Sequence, residues 1–149
     1  MTIEDAIKQK KFNNEYEKLA VNILYTASWI DALHIQSLKP FGISPQQFNV
    51  LRILRGAQKE PTRLTDISER MVDRNSNSTR LVEKLRQKGL LKRDICKTNR
   101  RQVDILITQK GLDLLAEIDI HSEEWVKQFK TIPKNEAQEL NRILDKMRG

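Results

Sequence analysis

The chemistry-bearing residues of this chain cluster in Arg74-Asn75-Ser76-Asn77-Ser78-Thr79-Arg80, with Lys84 one turn further on. Short hydroxyl and amide groups interleaved with arginine do not break bonds. They hydrogen-bond, and Asn and Arg in particular make paired bonds to adenine and guanine edges. Asn77, Arg80 and Lys84 are spaced by three and four, so a helix puts them on one face, with Leu81 and Leu85 turned to the core. These are poor or neutral helix formers where a stable helix prefers Ala, Leu or Glu, and such a broken local rule marks a functional stretch. An N-cap cluster, in which Asn75 or Ser76 satisfies free amides, accounts for one of them. It does not account for the company of Arg74, Arg80, Lys84 and Arg86. Further on, Arg100 and Arg101 sit in the polar stretch Thr98-Asn99-Arg100-Arg101-Gln102, where arginines are candidates for a narrow, electronegative minor groove.

The charge of the whole chain supports that reading. The 149 residues carry a net +7. Residues 62–101 hold twelve basic and five acidic side chains, so this quarter of the chain carries the entire excess and the flanks are neutral. A charge run is often only a solvated face; an excess confined this way is the footprint of a polyanion partner.

The elements that position these residues follow from periodicity and punctuation. From Phe12 to Leu38 apolar residues recur at helical spacing, which predicts one long helix ended by Lys39-Pro40-Phe41-Gly42. Ser44-Pro45-Gln46-Gln47 is a capping box that opens a helix to about Gln58. Pro61 interrupts, an extended piece surrounds Arg63, and a short helix follows with Leu64 or Thr65 as N-cap. A second helix is expected from Asn75 to Gly89, whose glycine supplies the left-handed terminator. Leu91, Arg93 and Ile95, then Val103, Ile105 and Ile107, alternate with period two around the polar loop, which predicts a β-hairpin. Thr108 caps a helix expected to reach about Lys130, roughly 34 Å at about 1.5 Å per residue. A last helix carries Ala137, Leu140, Ile143, Leu144 and Met147 on one side.

Other chemistry is missing. There is no phosphate-binding loop, dinucleotide fingerprint or HExxH pattern, so an enzyme is not expected. His34 and His121 lack a close His or Cys companion; they could meet in space with acidic partners such as Glu123 or Glu124, but they read as surface or packing residues rather than metal ligands. No metal and no cofactor are expected. The single Cys96 excludes an internal disulfide. Neighbouring cations would favour its thiolate, as in a redox sensor, but a place between Ile95 and Lys97 on a strand suits an unreactive cysteine. The N-terminus does not look like a secretory signal and no stretch has the apolar length of a membrane span, so a cytoplasmic protein is expected.

DRNSNSTRLVEKLRQKGLLKR at 73–93, NRRQVDILITQKG at 99–111 and SPQQFNVLRIL at 44–54 resemble the MarR family of bacterial regulators. The first is similar to that family's recognition helix with its Gly-Leu-x-x-Arg exit. The second is similar to its wing and the Leu-Thr-x-x-Gly start of the next helix, with Ile107 in place of Leu. The resemblance implies a homodimer paired through its first, fifth and sixth helices on a near-palindromic operator. It places recognition on Ser76, Asn77, Ser78 and Arg80, and the wing-tip arginine on Arg101 beside Arg100. Asn99 stands where the family has an acid, which removes an ion pair that would stiffen the wing. The resemblance also implies a small aromatic ligand between the dimerisation helices and the DNA lobe, near Tyr25, Trp29, His34 and Phe41.

The expected architecture is therefore mainly α with a small β-hairpin wing, one domain over 1–149. Within it, 44–108 form a winged helix-turn-helix lobe, and 1–40 and 109–149 form dimerisation helices. The function that fits is a sequence-specific duplex-DNA-binding regulator, a repressor acting as a homodimer and released by a small ligand. The alternative is a winged-helix protein-interaction module with a basic face for an acidic partner, although such a surface would carry aromatic or aliphatic anchors in place of small polar residues.

Overall fold

In the computed structural model, which describes residues 1–58, 60–95, 97–99 and 101–149, the first strong local signal opens the central helix. Ser44 Oγ accepts from the Gln47 amide at 3.1 Å, and Gln47 Oε1 accepts from the Ser44 amide at 3.0 Å. This reciprocal cap starts α3 (Pro45–Gly56), two residues shorter than expected. Val50, Leu51, Ile53 and Leu54 of α3 are buried among Leu38, Ile43, Ile67, Met71, Val82, Leu85, Leu90, Leu91, Ile105 and Leu115. Burial of that many apolar side chains is what holds the lobe together, at roughly 1.5–3 kcal/mol each before entropy is charged against it.

Around α3 lie α4 (Leu64–Arg70), α5 (Ser78–Gln87) and an antiparallel hairpin of β1 (Leu91–Ile95) and β2 (Val103–Ile107). Leu91 faces Ile107 and Ile95 faces Val103 across the hairpin. The extended piece before α4 is Thr62, which exchanges backbone hydrogen bonds with Ile105 at 3.1 and 2.9 Å. This order is a winged helix-turn-helix.

α5 leaves through Gly89, at φ +73°. Its exit is tied to the next helix, α6 (Gln109–Ile120), by Thr108: the hydroxyl donates to the Gly89 carbonyl at 2.7 Å and accepts from the Gly111 amide at 3.2 Å. A side chain at 111 would run into the Leu90 carbonyl oxygen and sit 2.7 Å from Ile107 Cγ1. The Thr-x-x-Gly pattern is thus a packing requirement where the lobe joins its arm.

The arm consists of α1 (Ile3–Ile7), α2 (Glu15–Leu38), α6, α7 (Ser122–Lys127) and α8 (Lys134–Arg148), with a single 3₁₀ turn at Lys39–Phe41 after α2. Of the twenty-four residues of α2 only Leu38 is buried, and α8 buries none.

Four sequence expectations need correction. The long first helix starts at Glu15, because the Asn14 side chain caps the Glu17 amide at 2.9 Å, and it is preceded by the unforeseen α1. That short helix is opened by a Thr2–Asp5 capping box and pinned by Lys18 on Glu4 at 2.6 Å. The N-cap of α4 is Arg63, not Leu64 or Thr65, since the Asp66 carboxylate reaches back to the Arg63 amide at 3.2 Å. α5 starts at Ser78 rather than Asn75. Finally, the helix expected to run from Thr108 to Lys130 breaks at His121. No proline or glycine marks that break. His121 packs on Phe41 and Trp125 stacks against His34 there, so the change of direction follows aromatic packing rather than propensity.

Candidate nucleic-acid interface

α4 ends without a left-handed residue: Met71 is extended, at φ −65° and ψ 134°, and its last carbonyls lack helical partners. Arg74 supplies them. Its Nη1 donates to the carbonyls of Glu69 at 2.8 Å, Ser68 at 3.3 Å and Met71 at 3.4 Å. The turn that follows is held by side chains of α3: the Val72 amide donates to Asn49 Oδ1 at 2.8 Å, and Gln46 Nε2 to Asp73 at 3.4 Å. Asp73 in turn accepts from the Asn75 amide at 2.9 Å.

Asn77 caps α5, its Oδ1 accepting from the Arg80 amide at 3.1 Å. The hydroxyls of Ser76 and Ser78 point inward and are buried without a hydrogen-bond partner among the described residues. What α5 leaves exposed at its start is Thr79 and Arg80, then Lys84 a turn later.

The cations sort into two groups. Glu83 accepts from Arg86 at 2.7 and 3.0 Å and pairs with Arg93 of β1 at 3.0 Å. Arg86 beside it, helped by Arg93, holds the Glu83 carboxyl below the ordinary range. This cluster ties the base of the wing to α5. Arg80, Lys84 and Arg101, by contrast, form no ion pair with any described residue. At the wing tip, Asn99 Oδ1 accepts from the Arg101 amide at 3.1 Å and its carbonyl from the Gln102 amide at 3.0 Å. An amide-built turn stands where an acid's ion pair is missing, and the exposed Arg101 projects from it.

Of the eight residues assigned to DNA from sequence, the fold leaves Arg80, Lys84 and Arg101 exposed with free charge. Asn77 and Arg74 are committed to backbone groups, and the Ser76 and Ser78 hydroxyls are turned away from solvent because α5 begins three residues later than expected. Arg100 and Cys96 lie outside the described residues. Sequence reasoning passed over Thr79, two residues after the capping Asn77, and Glu83, whose spacing of three from Arg86 was the available signal.

A cavity of about 600 Å³ lies between the lobe and the arm, lined by His34, Phe41, Phe48, Arg52, His121 and Trp125 among others. His34 meets the edge of Phe48 at 5.4 Å and stacks obliquely on Trp125 at 4.7 Å. Burial, opposed by Asp31 and reinforced by Arg52, lowers its pKa below the ordinary imidazole value. Beside the cavity, Arg55 of α3 grips Asp119 of α6 at 2.6 and 3.4 Å. Only two of the four ligand candidates reach this space. Tyr25 lies nine residues before His34, about 13.5 Å along the helix axis, and Trp29 faces Phe129 at 6.2 Å. Both stay off the cavity wall, 40% and 46% exposed. Among the described residues no group of three His, Cys, Asp or Glu is placed to hold a metal ion, and no helix is long and apolar enough to cross a membrane.

Comparison with known proteins agrees with this geometry. A family model described as MarR family matches residues 43–103. The chain is similar to the HTH-type transcriptional regulator MhqR of Bacillus subtilis (strain 168), 30% identical over 107 residues, 71% of this chain and 72% of that one. It is also similar to a second, uncharacterised HTH-type transcriptional regulator of that organism, YkoM, 29% identical over 142 residues, covering 91% and 90% of the two chains. Among solved structures, S. aureus MepR in its complex with DNA superposes with a TM-score of 0.77 at 19% identity, over 92% of this chain and 97% of that one, which shows a shared fold.

Proposed function

Since the chain belongs to the MarR family, whose members are DNA-binding transcriptional regulators and not enzymes, we propose that it is a cytoplasmic homodimeric repressor reading a near-palindromic operator in duplex DNA. One observation carries this reading: Arg80 and Lys84 on α5 and Arg101 on the wing are exposed and form no ion pair among the described residues, while their neighbours Arg86 and Arg93 share an ion pair with Glu83. An unpaired cation is free to displace counterions from phosphate, which is the source of affinity and of its salt dependence. Thr79 and Arg80, at the start of α5, are the side chains that read base edges in the major groove, and Arg101 enters the minor groove. MepR, of the same fold, has been captured on DNA, which supports an arrangement of this kind.

Dimerisation is supported by what the arm leaves uncovered. Leu24 is 71% exposed, Ile35 52% and Ile120 78%, an apolar surface that a second copy would bury. Two lobes joined this way place half-sites about 34–36 Å apart. The cavity between lobe and arm is the site for an aromatic ligand, held by Phe48 and Trp125, whose arrival would disturb the α2, α3 and α7 packing and release DNA.

The test is DNA selection followed by affinity measurement over salt. Binding is expected to weaken at a log–log slope of about −0.9 per phosphate contact, and Arg101→Ala to cost more affinity than Arg142→Ala, whose side chain is already paired with Glu139. A flat salt response, or a silent Arg101→Ala, contradicts the proposal. For the ligand, aromatic acids and phenols that neither raise Tm nor free the DNA would remove that part of it.

A further inference from the structure

Arg74 looks from sequence like one more phosphate contact, and its geometry says otherwise. The helix it follows, α4, lacks both a left-handed residue and a capping backbone amide at its C-terminus. Three carbonyls there converge on one guanidinium nitrogen, between 2.8 and 3.4 Å. A cation at that end also meets the negative pole of the helix. The turn is also held from α3, by Asn49 on the Val72 amide and Gln46 on Asp73, and beside Arg74 the Asp73 side chain accepts from the Asn75 amide and the Asp73 carbonyl from the Ser76 amide. Asn77 then caps α5. The direction in which Arg80 and Lys84 leave α5 is therefore set by how the chain crosses residues 71–77.

We infer that Arg74 is a positioning residue: it clamps the end of α4, fixes the turn and so aims α5 at DNA, without contacting phosphate itself. The inference rests on the DNA-binding reading above, but it can fail separately from it. A phosphate contact and a positioning contact differ in salt dependence. Losing the first removes about 0.9 from the log–log slope; losing the second weakens binding at every salt concentration and leaves the slope alone.

The experiment compares wild type, Arg74→Ala, Arg74→Lys and Arg74→Gln on a selected operator duplex between 50 and 200 mM salt, roughly the range over which phosphate contacts dominate, at a temperature where circular dichroism shows each folded. Arg74→Ala is expected to bind roughly tenfold more weakly with an unchanged slope, from the loss of charge-assisted bonds to three carbonyls. Lysine, with three donors and the charge, should restore most of the affinity, and glutamine much less. A slope reduced by about 0.9 in Arg74→Ala, or an affinity equal to wild type, overturns the inference. Should the alanine variant not fold, lysine binding no better than glutamine overturns it. Hydrogen exchange gives a readout independent of DNA: the Asn75, Ser76 and Arg80 amides should exchange faster in Arg74→Gln than in Arg74→Lys, while the Thr108 amide is unchanged. Equal exchange in the two variants contradicts the clamp. If the wild type selects no DNA at all, the DNA-binding reading falls and the exchange measurement still decides the role of Arg74.

Discussion

α3 buries five of its twelve residues, whereas α2, twice as long, buries only Leu38 and leaves Tyr16, Leu24, Trp29 and Ile35 at the surface. Both helices have helical apolar spacing. What differs is their surroundings: α3 is enclosed by α2, α4, α5, α6 and β2, while α2 lies along one side of the lobe and continues past it. Periodicity says that a face will be buried; it does not say by which molecule. The lobe is complete in one chain and the arm, on the proposed reading, is completed by a second.

Mutations that exchange the roles of these regions test the contrast. The largest effect is expected from Leu24→Asp combined with Ile35→Asp, eleven residues apart and so on one face of α2. The variant should sediment as a monomer, and operator affinity should drop by about 10²–10⁴-fold through loss of bivalent engagement. A dimer that persists removes this part of the account. Next, Leu54→Ala in the lobe core should cost about 2–5 kcal/mol in denaturant unfolding, while the same change at exposed Leu24 should leave the melting of the dissociated form unaltered. Equal losses at the two sites would show that the lobe and arm do not differ as described.

A smaller effect is expected from pH at the seam between the two regions. His34 titrates below its unfolded value of about 6.5, so the folded state prefers it neutral. Its contribution to stability is present above that value and is lost as pH falls through the lowered folded pKa. Tm should therefore decline on acidification below about 6.5, and His34→Phe, which keeps the stack on Trp125 and Phe48, should flatten that decline. The smallest change is Ser78→Ala. Removing a buried hydroxyl that lacks a partner is expected to stabilise the lobe by up to about 1 kcal/mol. A loss of stability would mean that the hydroxyl is satisfied in solution.

How far the sequence could be read follows from the range of each interaction. Ser44 with Gln47, Thr108 with Gly111, and Gly89 are local devices, and the expected helix ends fall on them. The hairpin follows from period-two alternation. The break at His121 was illegible because its cause is His34, more than eighty residues away. The placement of Arg74, Ser76 and Ser78 is not legible in the sequence for a related reason. Their types suit a DNA interface, but the start of α5 depends on Asn49 and Gln46 holding the turn, and a shift of three residues turns hydroxyls from groove to core. The charge excess over residues 62–101 was visible from composition; which cations are free within it was not, because Glu83 selects Arg86 and Arg93 by position.

That selection allows the most direct measurement, a comparison of two arginines on one helix. Salt titrations of operator binding by Arg80→Ala and Arg86→Ala should separate them. The slope should be shallower by about 0.9 for Arg80→Ala and unchanged for Arg86→Ala. Equal slopes in the two variants, or a loss confined to Arg86→Ala, would contradict this expectation.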